Sequence, residues 1–299
     1  MLKPNRLKKG DRVRIVAPAS PVKREMFEQG VAVVKQLGFE PVYKDPFHKW
    51  RYLAGEDAHR KAELLEALQD QDASAIFFAR GGYGCARLIP DKDLEQSFTP
   101  KILQGCSDIT TLQLYFQKIH NWIVFHGPMP SGDFSRGQLH TESLLHAMTG
   151  DKAYELNPPG VECLKDGDAE GTLAGGCLTL IDESLGTRWE PVWSDTILFL
   201  EDVSVKPYQI DRMLMHLIHK KKFDGVRAFI FGEMVDCVQV ENQGYTLQEV
   251  IMDLLGPFGK PIYFGFPSGH VTGLNWTLPF GVRARISSKG LEILESAVS

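Results

Sequence analysis

Three residues of this 299-residue chain have types and settings suited to nucleophilic catalysis: Ser107, Glu201 and His270. Ser107 stands in Gly105-Cys106-Ser107-Asp108-Ile109-Thr110, after the apolar pair Ile102-Leu103 and before Thr111 to Phe116, whose apolar residues have helical spacing. A strand, a sharp turn and a helix would set the hydroxyl at the tip of the turn, beside the N–H groups of the first helical turn. Negative charge developing on an attacked carbonyl is favoured there. Capping of the helix by Ser107 or Asp108 is the commoner use of such residues. Glu201 directly follows the apolar run Ile197-Leu198-Phe199-Leu200, so its carboxylate would stand at the mouth of a sheet. A solvated strand end, or a partner for Arg212, is the alternative. His270 lies in Pro267-Ser268-Gly269-His270-Val271, a loop with little else to require an imidazole, although a lone loop histidine is often a surface residue. Together the three could form a nucleophile, a base and an orienting acid in the order Ser, Glu, His. Spacing alone does not bring them together.

Other chemistry is weaker. Arg80-Gly81-Gly82-Tyr83-Gly84 has three glycines in four positions, which lets backbone approach a ligand and present N–H groups. It lacks both the Gly-x-Gly-x-x-Gly spacing of dinucleotide sites and the Gly-Lys-Ser/Thr of a P-loop, and a tight turn explains it equally well. His216 and His219 are three apart on an expected helix without accompanying ligands, so no metal site is expected. Cys106 beside Ser107 would point into the core from such a turn, as a small apolar residue does.

These residues are carried by alternating strands and helices. Strands are expected at Arg12 to Val16, Phe39 to Tyr43, Ala75 to Ala79, Ile102-Leu103 and Trp122 to Gly127, with helices from Lys23 to Leu37 and Asp57 to Leu68 and another starting at Ala86 to Leu88. That order argues for an α/β layer with a parallel sheet, where ligands sit beyond the carboxyl ends of the strands. Periodicity fades from about Gly132 to Asp168 around one helix, Thr141 to Met148. Beyond it the chain is richer in strands and glycine turns. Residues 1–135 therefore read as one domain, 136–168 as a linker and 169–299 as a β-rich second domain. A net charge of −5 and a pI near 6.0 give no reason to expect nucleic acid or an anionic membrane as partner. Five irregularly spaced cysteines suit a reducing compartment, and neither a signal peptide nor a membrane-spanning run is evident, so a cytoplasmic location is expected.

The motifs Arg80-Gly81-Gly82-Tyr83-Gly84, Gly105 to Thr110, His126-Gly127-Pro128-Met129, Gly175-Gly176-Cys177-Leu178, Leu200-Glu201-Asp202-Val203 and Gly269-His270 occur in the order seen in one family. Over Asp11 to Ile286 the chain resembles the bacterial L,D-carboxypeptidases, serine peptidases of muropeptide recycling related to microcin immunity peptidases. The resemblance implies a Rossmann-like N-terminal domain, a barrel-like C-terminal domain and a site between them, and members are commonly homodimers. It implies Ser107 as nucleophile, His270 as general base and Glu201 as its orienting carboxylate. The oxyanion hole would be the N–H of Asp108 with that of Gly81 or Gly82. A terminal D-alanine carries a free carboxylate, for which Arg80 is the candidate partner, with Tyr83 beside it. No cofactor is implied, and the expected substrate is a murein tetrapeptide or other small peptide. The alternatives are a microcin-immunity-type peptidase acting on a peptidyl or aminoacyl nucleotide conjugate, for which Trp50 or Trp189 could stack on a base, and an inactive peptide-binding protein.

Overall fold

The structure is a computed structural model, describing residues 1–89, 91–150, 152–238 and 244–299. The chain opens with β1 (Arg12–Val16), α1 (Arg24–Gln36), β2 (Glu40–Val42), α2 (Asp57–Gln69), β3 (Ala73–Phe78), β4 (Ile102–Gly105), α3 (Ile109–His120) and β5 (Val124–His126). These five strands pair in parallel, in the spatial order β5-β4-β3-β1-β2. Nearly every residue of β1, β3, β4 and β5 is buried, as expected where helices cover both faces of a parallel sheet, and the apolar run is longest in β3. The helix expected from Ala86 to Leu88 is only a single 3₁₀ turn, Cys85–Arg87. The N–H of Cys85 donates to the Asp108 carboxylate (2.8 Å), which ties this turn to the start of α3.

After α4 (Thr141–Thr149) come β6 (Tyr154–Leu156), β7 (Glu162–Lys165), β8 (Ala169–Cys177), α5 (Leu178–Glu183), β9 (Thr196–Glu201), α6 (Pro207–His219), β10 (Val226–Gly232), α7 (Leu247–Leu255), β11 (Ile262–Phe266), β12 (Leu278–Phe280), β13 (Arg283–Ser287) and β14 (Gly290–Ile293). All but β12 form an eight-stranded sheet in the order β6-β14-β13-β8-β9-β10-β11-β7, parallel from β8 to β11 and antiparallel towards both ends. Two features differ from the sequence reading. The stretch 136–168 holds α4 and two edge strands of the second sheet, because short polar strands such as β6 and β7 carry little apolar periodicity. The other is β12, which returns to the first sheet and pairs antiparallel with β5. The chain ends also meet, with Ser299 N donating to the Pro4 carbonyl at 2.9 Å.

The first sheet and its helices share a core that continues into the concave side of the second through Phe199, Phe266 and Phe280. A separate cluster lies under α6 and α7, around Leu214, Leu217 and Ile251. Among the described residues no helix is long and apolar enough to cross a membrane.

Candidate active site

Ser107 sits two residues beyond the end of β4 and two before α3, and its backbone is left-handed, φ +62°. A non-glycine residue rarely adopts this conformation, which lifts the side chain out of the line joining strand to helix. Gly81 makes the turn possible from the other side. A Cβ there would fall 2.7 Å from Ser107 Cβ and 3.0 Å from its Oγ. Among the described residues the N–H groups of Asp108, Gly81 and Gly82 donate to no protein acceptor, and Gly81 and Gly82 line the same cavity as Ser107. The Gly-rich turn is held from below by Arg60, a fully buried side chain whose guanidinium donates to the carbonyls of Gly84 (2.9 Å) and Pro18.

Glu201 ends β9 and is wholly buried. Its Oε2 accepts from both the backbone N–H (3.0 Å) and Nδ1 (2.7 Å) of His270. A buried carboxylate can only accept when ionised, so Nδ1 carries the proton and Nε2 is the free base. The loop that brings His270 here is braced by Asn275, whose amide exchanges bonds with both backbone groups of Gly269. Gly269 has φ +91°, and a Cβ on it would lie 2.5 Å from Glu201 Cδ. Burial alone would raise the Glu201 pKa, but the charge and hydrogen bonds of His270 hold it below the ordinary carboxylate value. Burial likewise opposes the charged form of His270, and Glu201 outweighs it, raising the imidazole above 6.5.

Ser107 and His270 line one cavity of about 490 Å³, open between the two sheets. No hydrogen bond joins them among the described residues. Such bonds commonly tighten only with substrate in place. The structure thus brings Glu201 and His270 into contact and sets Ser107 on the same cavity wall. Arg80 lines that cavity, although one of its N–H groups is engaged by the Pro21 carbonyl (2.9 Å). Tyr83 is not on the wall. It is 45% exposed and packs against Tyr52, with ring centroids 5.9 Å apart. Trp50 pairs with Arg51 and Trp189 packs beside Tyr115, so neither is on the cavity wall. Arg212 lies over Tyr208 rather than at Glu201.

Alternative chemistries find less support. The Cys106 thiol is buried, and burial pushes its pKa well above 9. His216 bonds Asp182 at 2.8 Å, and among the described residues no group of three or more His, Cys, Asp or Glu side chains could hold a metal ion. Asp202 accepts from Thr179 N and Oγ1, which fixes the start of α5.

Sequence reasoning missed two features. His126, fully buried at the end of β5, places Nε2 3.7 Å from Glu201 Oε1, and neither of its nitrogens nor that oxygen has a hydrogen-bond partner. Its ring stacks on Phe280 of β12, and burial lowers its pKa to about 4, so it is neutral at physiological pH. The other is the turn Pro130–Phe134, whose Ser131, Gly132 and Asp133 form the far wall of the cavity. Its Ser-Gly-Asp composition reads as a plain loop.

The fold is a parallel-sheet α/β domain joined to a curled, β-rich half-barrel, with the candidate site at the strand ends. Family models for the N-terminal and C-terminal domains of LD-carboxypeptidases match residues 13–127 and 170–286, and the chain belongs to that family of peptidases. A probable murein peptide carboxypeptidase of Bacillus subtilis is 32% identical over 99% of this chain and 95% of its own. The muramoyltetrapeptide carboxypeptidase of Oxalobacter formigenes superposes with a TM-score of 0.82 at 28% identity, over 95% of this chain and 99% of that one. The microcin C7 self-immunity protein MccF shares the fold over the full length of both chains, with a TM-score of 0.90 at 24% identity.

Proposed function

We propose that this protein is a serine-type L,D-carboxypeptidase that removes the terminal D-alanine from murein tetrapeptides in the cytoplasm during peptidoglycan recycling. The observation that carries it is the bond of His270 Nδ1 to the buried Glu201, with Nε2 left free on the cavity that Ser107 enters from a strained turn. In this reading Ser107 Oγ attacks the carbonyl of the L-configured centre that bears the terminal D-residue. His270 Nε2 takes the hydroxyl proton and passes it to the departing amine. Glu201 keeps the proton on Nδ1 and offsets the charge on the imidazolium. The oxyanion is received by the N–H of Asp108 at the start of α3 and by one from the Gly81-Gly82 turn, groups already oriented and without other partners. Water then attacks the acyl-enzyme with the same base assisting. A homodimer, common in the family, is part of the same reading.

Similarity of fold to MccF supports a second reading, hydrolysis of an aminoacyl nucleotide conjugate. Against it, none of the described residues lining the cavity is a Trp, Tyr or Phe that could stack on a base. Mass spectrometry of the protein with L-Ala-γ-D-Glu-diaminopimelate-D-Ala, beside a Ser107→Ala control, tests both. Loss of D-alanine in the wild type alone supports the first reading. An active Ser107→Ala protein would end it, and cleavage of an aminoacyl sulfamoyl nucleoside but not the tetrapeptide would favour the second.

A further inference from the structure

The far wall of the cavity is not used by the groups considered so far. The turn Pro130–Phe134 is pinned beneath the carboxyl end of β3, where Ser131 N donates to the Ala79 carbonyl at 2.9 Å. It is pressed on its other side by α1, so closely that a Cβ on Gly30 would lie 2.1 Å from the Pro130 carbonyl oxygen. Ser131 is therefore held beside Arg80 and Gly81, and it lines the same cavity as Ser107. It is only 3% exposed, yet its hydroxyl has no hydrogen-bond partner. A buried hydroxyl left unsatisfied is costly, and a ligand acceptor would relieve the cost.

Arg136 follows two residues after the turn and lines the cavity as well. It is exposed, and among the described residues its guanidinium makes no hydrogen bond or ion pair. Asp133 stands on the same wall, where burial raises its pKa against the Met129 N–H, which donates to Oδ2 at 3.0 Å, and the charge of Arg136. Arg80, by contrast, already spends one N–H on Pro21. The wall thus offers a free guanidinium fork, an unpartnered hydroxyl and a partly engaged second arginine. These three groups are donors and suit a group that only accepts and has two oxygens, although the Asp133 carboxyl shares the wall.

We infer that Arg136 and the Ser131 hydroxyl form the subsite for the terminal carboxylate of the departing amino acid, with Arg80 flanking it. This rests on the peptidase reading of Ser107. Only an amide nitrogen and one Cα separate the scissile carbonyl from that carboxylate, roughly 3–4 Å of chain. The subsite must therefore share a cavity with the nucleophile, as this wall does. A carboxylate seated there fixes the scissile bond as the last in the peptide, and makes the enzyme an exopeptidase.

The test compares release of D-alanine from the tetrapeptide free acid with release of D-alaninamide from its C-terminal amide. The wild type, Arg136→Ala, Arg136→Lys, Ser131→Ala and Arg80→Ala proteins are assayed side by side. Charge-assisted hydrogen bonds of this kind contribute roughly 10- to 150-fold. Arg136→Ala should lose that factor in kcat/KM on the acid, mainly through KM, and change on the amide by less than about 2-fold. Arg136→Lys should recover part of the loss, and Ser131→Ala should show a smaller loss confined to the acid. Equal losses on acid and amide would reduce Arg136 to a structural role and overturn the inference. So would collapse of the acid preference in Arg80→Ala alone. Calorimetry on the Ser107→Ala protein, with and without Arg136→Ala, separates this claim from the peptidase reading. Tighter binding of acid than amide that depends on Arg136 supports the subsite even if no D-alanine is ever released. Equal binding of acid and amide overturns it.

Discussion

Replacing Gly81 by alanine would put a methyl group against the proposed nucleophile without straining its own backbone, because φ at Gly81 is not in the left-handed region. The new Cβ would lie 2.7 Å from Ser107 Cβ, 3.0 Å from Oγ and 3.3 Å from the Cys106 carbonyl oxygen. Carbon atoms pack comfortably at about 3.5–4.0 Å, so the two turns must part by roughly 1 Å. A rotamer change of Ser107 cannot relieve the clash, because Cβ moves only with the backbone. Misplacement by about 1 Å costs on the order of 10²-fold in rate, and loss of one oxyanion donor costs 10²- to 10³-fold. A fall in kcat of about 10²- to 10³-fold is therefore expected. Stability should suffer far less. Overpacking costs about 1–3 kcal/mol, and removing a glycine from the unfolded chain returns about 0.4–1 kcal/mol. The net loss, from about zero to roughly 2.6 kcal/mol, lowers Tm by at most about 10 °C. The assay is D-alanine release beside a thermal melt, with Gly273→Ala as the control. That residue is exposed, its φ is ordinary, and nothing lies within 4 Å of the added Cβ. A folded Gly81→Ala protein that keeps more than half of the wild-type kcat/KM would refute the seating of Ser107 against this turn, and with it the proposed oxyanion hole.

The remaining predictions concern charge. Glu201→Gln keeps the shape but no longer fixes the proton on His270 Nδ1, and the corresponding change in another serine protease triad costs about 10⁴-fold. Steady-state kinetics showing a loss below tenfold would remove Glu201 from the mechanism. His270 must be neutral to act as base, and its pKa is raised, so kcat/KM should fall towards acid with a midpoint above 6.5. In Glu201→Gln, burial is opposed only by the charges of Asp202 and Asp133, and the midpoint of the residual activity should move down. A profile that moves upward or stays fixed contradicts the pairing. His126 affects stability rather than rate. Its folded pKa of about 4 lies below the unfolded value near 6.5, so the unfolded state binds the proton first as pH falls. Its contribution is therefore lost between pH 6.5 and 4, about 3 kcal/mol in all, and is constant below that range. The raised His270 pKa acts in the opposite sense, adding stability below 6.5, and it cancels when wild type and His126→Phe are compared. Urea unfolding at pH 7 and pH 4.5 should show the variant gaining on the wild type at the lower pH. An unchanged difference between the two proteins would contradict the buried neutral imidazole.

The first sheet was legible because β1 alternates into an apolar end, β3 is an apolar run and the amphipathic helices α1 and α2 lie between the first three strands, and that pattern is local. Ser107, Glu201 and His270 were legible for a related reason: each interrupts an apolar or glycine-flanked context where a polar side chain needs a justification. What the sequence could not convey was contact across long separations. His126 ends an ordinary strand, and its place behind Glu201 depends on how β5 of one sheet meets β9 of the other. Leu278-Pro279-Phe280 is three residues long, and nothing in it distinguishes pairing with β5 from pairing within the second sheet. Ser131 and Arg136 sit in a segment whose Ser, Gly and Asp residues resemble a linker. Their value as donors lies in what they lack, a partner, which only coordinates can show. Tyr83 was the opposite case. Proximity in sequence to Gly82 suggested the cavity, but the left-handed backbone of Gly82 (φ +109°) and Gly84 (φ +142°) turns it outward against Tyr52.

The return of β12 to the first sheet also bears on synthesis. Domains tend to fold as they leave the ribosome, N-terminal part first, at about 5–20 residues per second. This one cannot close its first sheet until Phe280 has emerged, and by then Glu201 and His270 have emerged as well. In the proposed mechanism a nascent chain carries Ser107 without its base, and β5 is then an open edge. The hydroxyl is then an ordinary alcohol, and a partly made copy cannot attack peptides around it. In the proposed mechanism, hydrolytic activity thus arrives with the last strands of the fold.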